Sequence, residues 1–151
     1  MKPKVLAATN NQNKAQEIKD ILGDMYEIIS LKDLGLKIDP QENGKTFLDN
    51  ALIKAKAVFD ETGGVYPVIA DDSGLVVPAL NNEPGVMSAR YAGEDADDQK
   101  NNDKLLKNLE NVQDRQAYFV CDIVFLDKEH MIFAEGKTYG EILPSPAGNN
   151  G

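Results

Sequence analysis

The sequence contains a single cysteine and a single histidine. With no second cysteine for Cys121 to pair with, the sequence excludes both an internal disulfide framework and a cysteine-based zinc cluster and fits a reducing cytoplasm. No apolar run approaches the roughly 20 residues that a membrane span requires. Met1-Lys2-Pro3-Lys4 leads straight into a strand-like run, so neither a membrane partner nor export is expected. Positive charge is also scarce: 16 Lys and Arg face 25 Asp and Glu, for a net charge of −9. Tracking a nucleic acid backbone needs a basic stripe that neutralises several phosphates at once, so a nucleic acid polymer is excluded as a partner. A small polyanion is still compatible, provided a few lysines converge and a divalent metal supplies the remaining positive charge.

With 151 residues, 42% of them apolar, the chain has the usual size of one domain, and 1–151 is read as a single one. Lys4 to Ala8 reads as a short buried strand, and Ala15, Ile18, Ile21, Leu22 and Met25 follow at helical spacing, which makes a β-loop-α opening. Tyr26 to Ser30 is a second strand, followed by an irregular, Gly- and Pro-containing stretch to Lys45. Thr46 and Asp49 have the spacing of a capping box, and Phe47, Ala51, Ala55, Val58 and Phe59 continue with a period near 3.6. A helix therefore starts at about Thr46 and ends at Gly63-Gly64. Pro67 to Ala70 and Leu75 to Val77 are read as two short strands with an Asp71-Asp72-Ser73-Gly74 turn between them. Asn81 to Gly93 is turn-rich, and Asp95 to Asp98 opens another helix that buries Leu105, Leu106 and Leu109. Gln116 to Leu126 and Met131 to Tyr139 read as a hairpin, the first strand lying centrally because both of its faces are apolar.

Three segments carry chemistry. Thr9-Asn10-Asn11-Gln12-Asn13-Lys14 lies between a strand and a helix N-terminus, where unpaired N–H groups and the helix dipole favour an anion. Helix capping by Asn11 with a solvated Lys14 accounts for the same residues equally well. Gly44-Lys45-Thr46 has the ending of a phosphate-binding P-loop but fails the full pattern, because position 39 is Asp39 where glycine is required. Glu42 and Asp71-Asp72 are hard oxygen ligands of the kind that suits Mg²⁺, which takes one or two carboxylates alongside phosphates and water. Asp-Asp-Ser-Gly is also ordinary turn chemistry, although neighbouring carboxylates repel and a cation would relieve that repulsion. Lys54 and Arg90 are candidate phosphate partners. Lys56 reads as a solvated helix face, and the acids from Glu94 to Asp98 as a solvated helix start. His130, in a hairpin turn, and Cys121, in a core strand, are poor nucleophile candidates.

In combination these segments resemble the inosine/xanthosine triphosphate pyrophosphatase family, which converts non-standard purine triphosphates to monophosphates and pyrophosphate. The resemblance runs in order through Ala8-Thr9-x-Asn11-x-x-Lys14, Glu42-Asn-Gly-x-Thr46-Phe47, Asn50-Ala51-x-x-Lys54-Ala55 and Ala70-Asp71-Asp72-Ser73-Gly74-Leu75. It continues through Pro84-Gly85, Ser88-Ala89-Arg90-Tyr91-Ala92-Gly93 and Gly140-Glu-Ile142. It implies an α/β fold: an elongated central mixed sheet flanked by helices, with the site in a cleft between two lobes, as a homodimer. It further implies that Thr9, Asn11 and Lys14 hold the triphosphate with Lys54 nearby, that Ser73 touches the substrate, and that Glu42 and Asp72 hold Mg²⁺. Asp72 is then also the general base, orienting water for attack at the α-phosphorus, and Arg90 joins the substrate-binding set.

Members of that family continue beyond the segment matching Pro146-Ala-Gly148-Asn-Asn-Gly151 with Phe-Gly-Tyr-Asp and later Ser-His-Arg, which enclose and identify the purine base. The sequence is accordingly read as one such domain lacking the family's C-terminal segment. Two further readings stand beside this one: a non-catalytic nucleotide-binding or dimerisation module, and a related pyrophosphatase that prefers pyrimidine or modified nucleotides.

Overall fold

The computed structural model describes residues 1–149; the last two residues of the Pro146–Gly151 motif lie outside the described residues. Among the described residues, six strands and three α-helices follow in the order β1 (Lys4–Ala7), α1 (Gln12–Leu22), β2 (Glu27–Ser30), α2 (Phe47–Glu61), β3 (Val68–Val77), β4 (Glu83–Pro84), α3 (Asp98–Asn108), β5 (Gln116–Leu126) and β6 (Met131–Glu141). Two 3₁₀ turns, Pro78–Leu80 and Gly85–Arg90, fill the turn-rich stretch. All six strands join one sheet in the order β2-β1-β3-β5-β6, with β4 paired to β3. β1 runs parallel to both β2 and β3, whereas β4 is antiparallel to β3, so the sheet is mixed. Among the described residues, no helix is long and apolar enough to cross a membrane.

The chain divides into two units. The first comprises Met1–Asp72 with Asp122–Glu135, and the second Ser73–Cys121 with the chain from Gly136 onward. In the first unit the side-chain alternation of the strands sorts the core into two layers. Leu6, Ala8, Val68 and Ala70 meet Ala51, Ala55 and Val58 of α2, while Val5, Ala7 and Ile69 on the opposite face pack with Ile18 and Leu22 of α1. A parallel sheet covered on both faces needs apolar residues at consecutive positions, which is why Val5 to Ala8 is an unbroken apolar run. Leu6 is fully buried, and truncating it to alanine would cost about 3 kcal/mol. In the second unit Val77 and Ala117 pack with Tyr91, Leu105 of α3 and Leu109 just beyond its end, whereas Leu106, also expected in the core, is only half-buried.

Local signals place the helix ends. Thr46 accepts a hydrogen bond from the Asp49 N–H and the Asp49 carboxylate accepts one from the Thr46 N–H, closing the capping box. α2 stops where Gly63 and Gly64 adopt positive φ values of 61° and 66°, conformations that cost a side-chain-bearing residue strain. The apolar helical stripe read as far as Met25 ends earlier, α1 stopping at Leu22 with Ile21 and Met25 exposed, and the turn expected at Asp71-Asp72-Ser73-Gly74 fails as well. These residues form no turn; β3 runs straight through them.

Candidate active site

β1 delivers the chain to Thr9, whose hydroxyl oxygen accepts a hydrogen bond from the Asn11 N–H at 3.1 Å. Asn11 is the N-cap of α1: its side-chain carbonyl oxygen accepts from the Asn13 N–H at 2.9 Å and the Lys14 N–H at 3.3 Å. The capping role weighed from the sequence is therefore real, and what Asn11 can offer an anion is its amide NH₂. Lys14 is not simply solvated, because its Nζ pairs with Asp71 Oδ2 at 2.8 Å.

The two adjacent aspartates diverge, as neighbouring side chains of a strand must. Asp71 follows Ile69 on the face that α1 covers and meets Lys14 of that helix. Asp72 follows Val68 and Ala70 on the face that α2 covers, where the Asn50 amide donates to its Oδ2 at 3.2 Å. Separate partners on separate faces leave little of the repulsion that the sequence reading invoked. They also supply the interactions that let a turn-like sequence remain in the ladder.

Asn50 and Lys54 are four residues apart on α2 and so project from the same face. Lys54 Nζ lies 2.9 Å from Glu42 Oε1, with only 16% of the lysine side chain exposed. Asp72 sits within the field of this group. Burial, the largest influence, pushes its carboxyl above the ordinary 3.8; Lys54, the Asn50 hydrogen bond and Lys14 pull it back, and the like charge of Glu42 raises it further. The first unit thus gathers Lys14, Glu42, Lys54 and Asp72 into one electrostatically coupled set.

Ser73 and Arg90 belong to the second unit. Ser73 is exposed on β3, directly after Asp72 in the chain. Arg90 closes the 3₁₀ turn Gly85–Arg90, with its Nε 3.5 Å from Met87 Sδ and 3.9 Å from Glu94 Oε1. Asn101 of α3 brackets that residue, donating to the Ala89 carbonyl at 3.0 Å and accepting from the Ala92 N–H at 2.8 Å. The second unit also holds a cavity of about 580 Å³, lined in part by Leu75, Leu105, Phe119 and Ile142, but none of the expected site residues lines it. His130 turns out to be a hairpin residue, its Nδ1 3.2 Å from Asp127 Oδ1.

The Ham1 family profile matches residues 5–151. The chain belongs to the Ham1 family. It is 49% identical to the dITP/XTP pyrophosphatase of Clostridium perfringens, over 98% of this chain and 76% of the relative. It is 47% identical to the protein of the same name from Haemophilus influenzae, over 100% of this chain and 79% of the relative. The solved structure of a HAM1 protein from Coxiella burnetii superposes with a TM-score of 0.89 at 37% identity, over 99% of this chain and 77% of that one.

In this Ham1 chain the residue that sequence reasoning passed over is Asn50, only 3% exposed. The available signal was an amide next to Ala51 in the apolar stripe of α2, one turn before Lys54. The donor set also has a clear chemical preference. Among the described residues there is no cluster of three or more His, Cys, Asp and Glu groups of the kind that cages a metal by itself. Glu42 and Asp72 instead offer two carboxylates whose charges act on one another. That fits a hard cation such as Mg²⁺, which completes its shell with phosphate oxygens and water.

Proposed function

We propose that this chain hydrolyses non-canonical purine nucleoside triphosphates such as dITP and XTP to the monophosphate and pyrophosphate, using Mg²⁺ held by Glu42 and Asp72. The reading is supported by relatives named dITP/XTP pyrophosphatases that match nearly the whole chain. The observation that carries it is the coupled set of Asp72, Glu42, Lys54 and Lys14 in the first unit. Two lysines and three carboxylates, counting Asp71, sum to −1, so a triphosphate approaching these residues alone meets charge of its own sign. A bound divalent cation makes the sum +1 and neutralises charge developing on the phosphoryl oxygens.

Every other role falls to side chains of the chain itself. Lys14 and Lys54 exchange a carboxylate partner for phosphate oxygens, and the Thr9 hydroxyl and Asn11 amide donate beside them. Asp72 is the general base, orienting the water that attacks the α-phosphorus and accepting its proton. A homodimer in the cytoplasm completes the reading, and sedimentation equilibrium measures the first of these.

The test is pyrophosphate release from dITP and XTP against dATP and dGTP, each with and without Mg²⁺. Preferential, Mg²⁺-dependent turnover of dITP and XTP is expected. A folded chain that turns over none of them, or turns over dATP equally well, defeats the proposal.

A further inference from the structure

Glu42 lies in a stretch, residues 36–44, without regular secondary structure. No ladder fixes the distance between this carboxylate and Asp72 on β3. Lys54 pairs with Glu42 and acts on Asp72 through its charge, and Asn50 reaches both segments through hydrogen bonds. Its Oδ1 accepts a hydrogen bond from the Gly44 N–H at 2.8 Å, two residues beyond Glu42, and its Nδ2 donates to Asp72 Oδ2 at 3.2 Å. The orientation of the amide follows from its partners, since an N–H demands the oxygen and a carboxylate demands the NH₂. At 3% exposure, water cannot readily replace either contact.

The loop side of this bridge is equally specific. A Cβ added to Gly44 would lie 2.5 Å from Asn50 Oδ1 and 2.6 Å from Asp49 Cβ, so only glycine lets the backbone come this close to α2. Asn50 is therefore built into a fit that a shifted loop could not keep.

We infer that Asn50 is a positioning residue, a strut between the Glu42 loop and Asp72 that sets the spacing of the two carboxylates and hence their joint affinity for a divalent cation. The inference rests on the metal-site reading of Glu42 and Asp72 given above. Asn50→Asp keeps an acceptor for Gly44 but turns a carboxylate toward Asp72. Asn50→Ala removes both contacts. Gly44→Ala leaves Asn50 intact and pushes the loop away from it.

The experiment is calorimetric titration of the full chain with Mg²⁺ alone, together with melting curves and steady-state kinetics. Loss of a residue that orients a metal ligand typically weakens affinity about 10- to 100-fold, and that loss is expected for Asn50→Ala and Gly44→Ala. In a Glu42→Gln background the effect of Asn50→Ala on Mg²⁺ affinity should largely vanish. Variants that melt earlier but bind Mg²⁺ as the wild type does overturn the inference and make Asn50 merely structural. If Asn50→Ala does not fold, Gly44→Ala decides by the same criterion. Wild-type protein with Mg²⁺-dependent turnover and unaltered variants defeats the inference alone, whereas wild-type protein that binds no Mg²⁺ defeats the metal-site reading with it.

Discussion

Asp71→Asn and Asp72→Asn should change stability in opposite directions, although the two residues are neighbours of identical chemistry. Asp72 has its carboxyl raised above 3.8, with burial the largest cause. The folded chain therefore holds this proton more tightly than the unfolded chain does. Stability falls as pH rises from 3.8 through the raised value, and above it the full cost of the buried charge is present. Asparagine removes that charge, keeps the shape and can still accept from Asn50, so Asp72→Asn should melt higher at neutral pH. Each kcal/mol of relief raises Tm by about 3 °C in a chain of this size. Asp71 is different, because its 2.8 Å pair with Lys14 leaves only 13% of its side chain exposed. Breaking that pair should cost about 1–3 kcal/mol, between the values for exposed and buried pairs. Activity separates the two as well: loss of the general base lowers kcat about 10²- to 10⁴-fold in Asp72→Asn. The assay is differential scanning calorimetry at neutral pH with steady-state kinetics on the same preparations. Lower melting temperatures for both variants, or wild-type kcat in Asp72→Asn, would refute the reasoning.

Lys54→Met removes a charge-assisted contact to phosphate of about 1.5–3 kcal/mol, so kcat/KM for dITP should fall about 10- to 100-fold; a change under threefold would remove Lys54 from the substrate site. Thr46→Ala opens the capping box of α2 at a cost of about 1 kcal/mol, read as a drop in Tm of about 3 °C. Asp33 and Asp127 have carboxyls held below 3.8, chiefly by hydrogen bonds from the Ser30 and Glu129 N–H groups respectively. Their contribution to stability is present above 3.8 and is lost as pH falls through the lowered values. The Tm gap between wild type and Asp33→Asn should therefore be constant near neutrality and close below 3.8, and a gap that persists in acid would contradict the assignment.

What could be read from the sequence divides along the range of the interactions involved. The capping box of Thr46 and Asp49, the glycines that end α2 and the apolar run of β1 are encoded within a few residues, and all appear where the spacing puts them. Asp71-Asp72-Ser73-Gly74 was misread because its composition is that of a turn. The partners that hold it in β3 come from far along the chain, Lys14 on α1 and Asn50 on α2. Asn50 was missed for a related reason. Within α2 it resembles any polar interruption of an apolar stripe, and only the position of Gly44 and Asp72 gives its amide a task. Lys54 and Glu42 were each named as candidates, but their 2.9 Å pairing could not be inferred from a twelve-residue separation across an irregular loop.

A single turnover of dITP in ¹⁸O-labelled water, with the products resolved by mass spectrometry, tests the central claim most directly. Attack at the α-phosphorus by water that Asp72 orients predicts that the label appears in the monophosphate and not in pyrophosphate. Label in pyrophosphate, or inorganic phosphate as the released product, would contradict it.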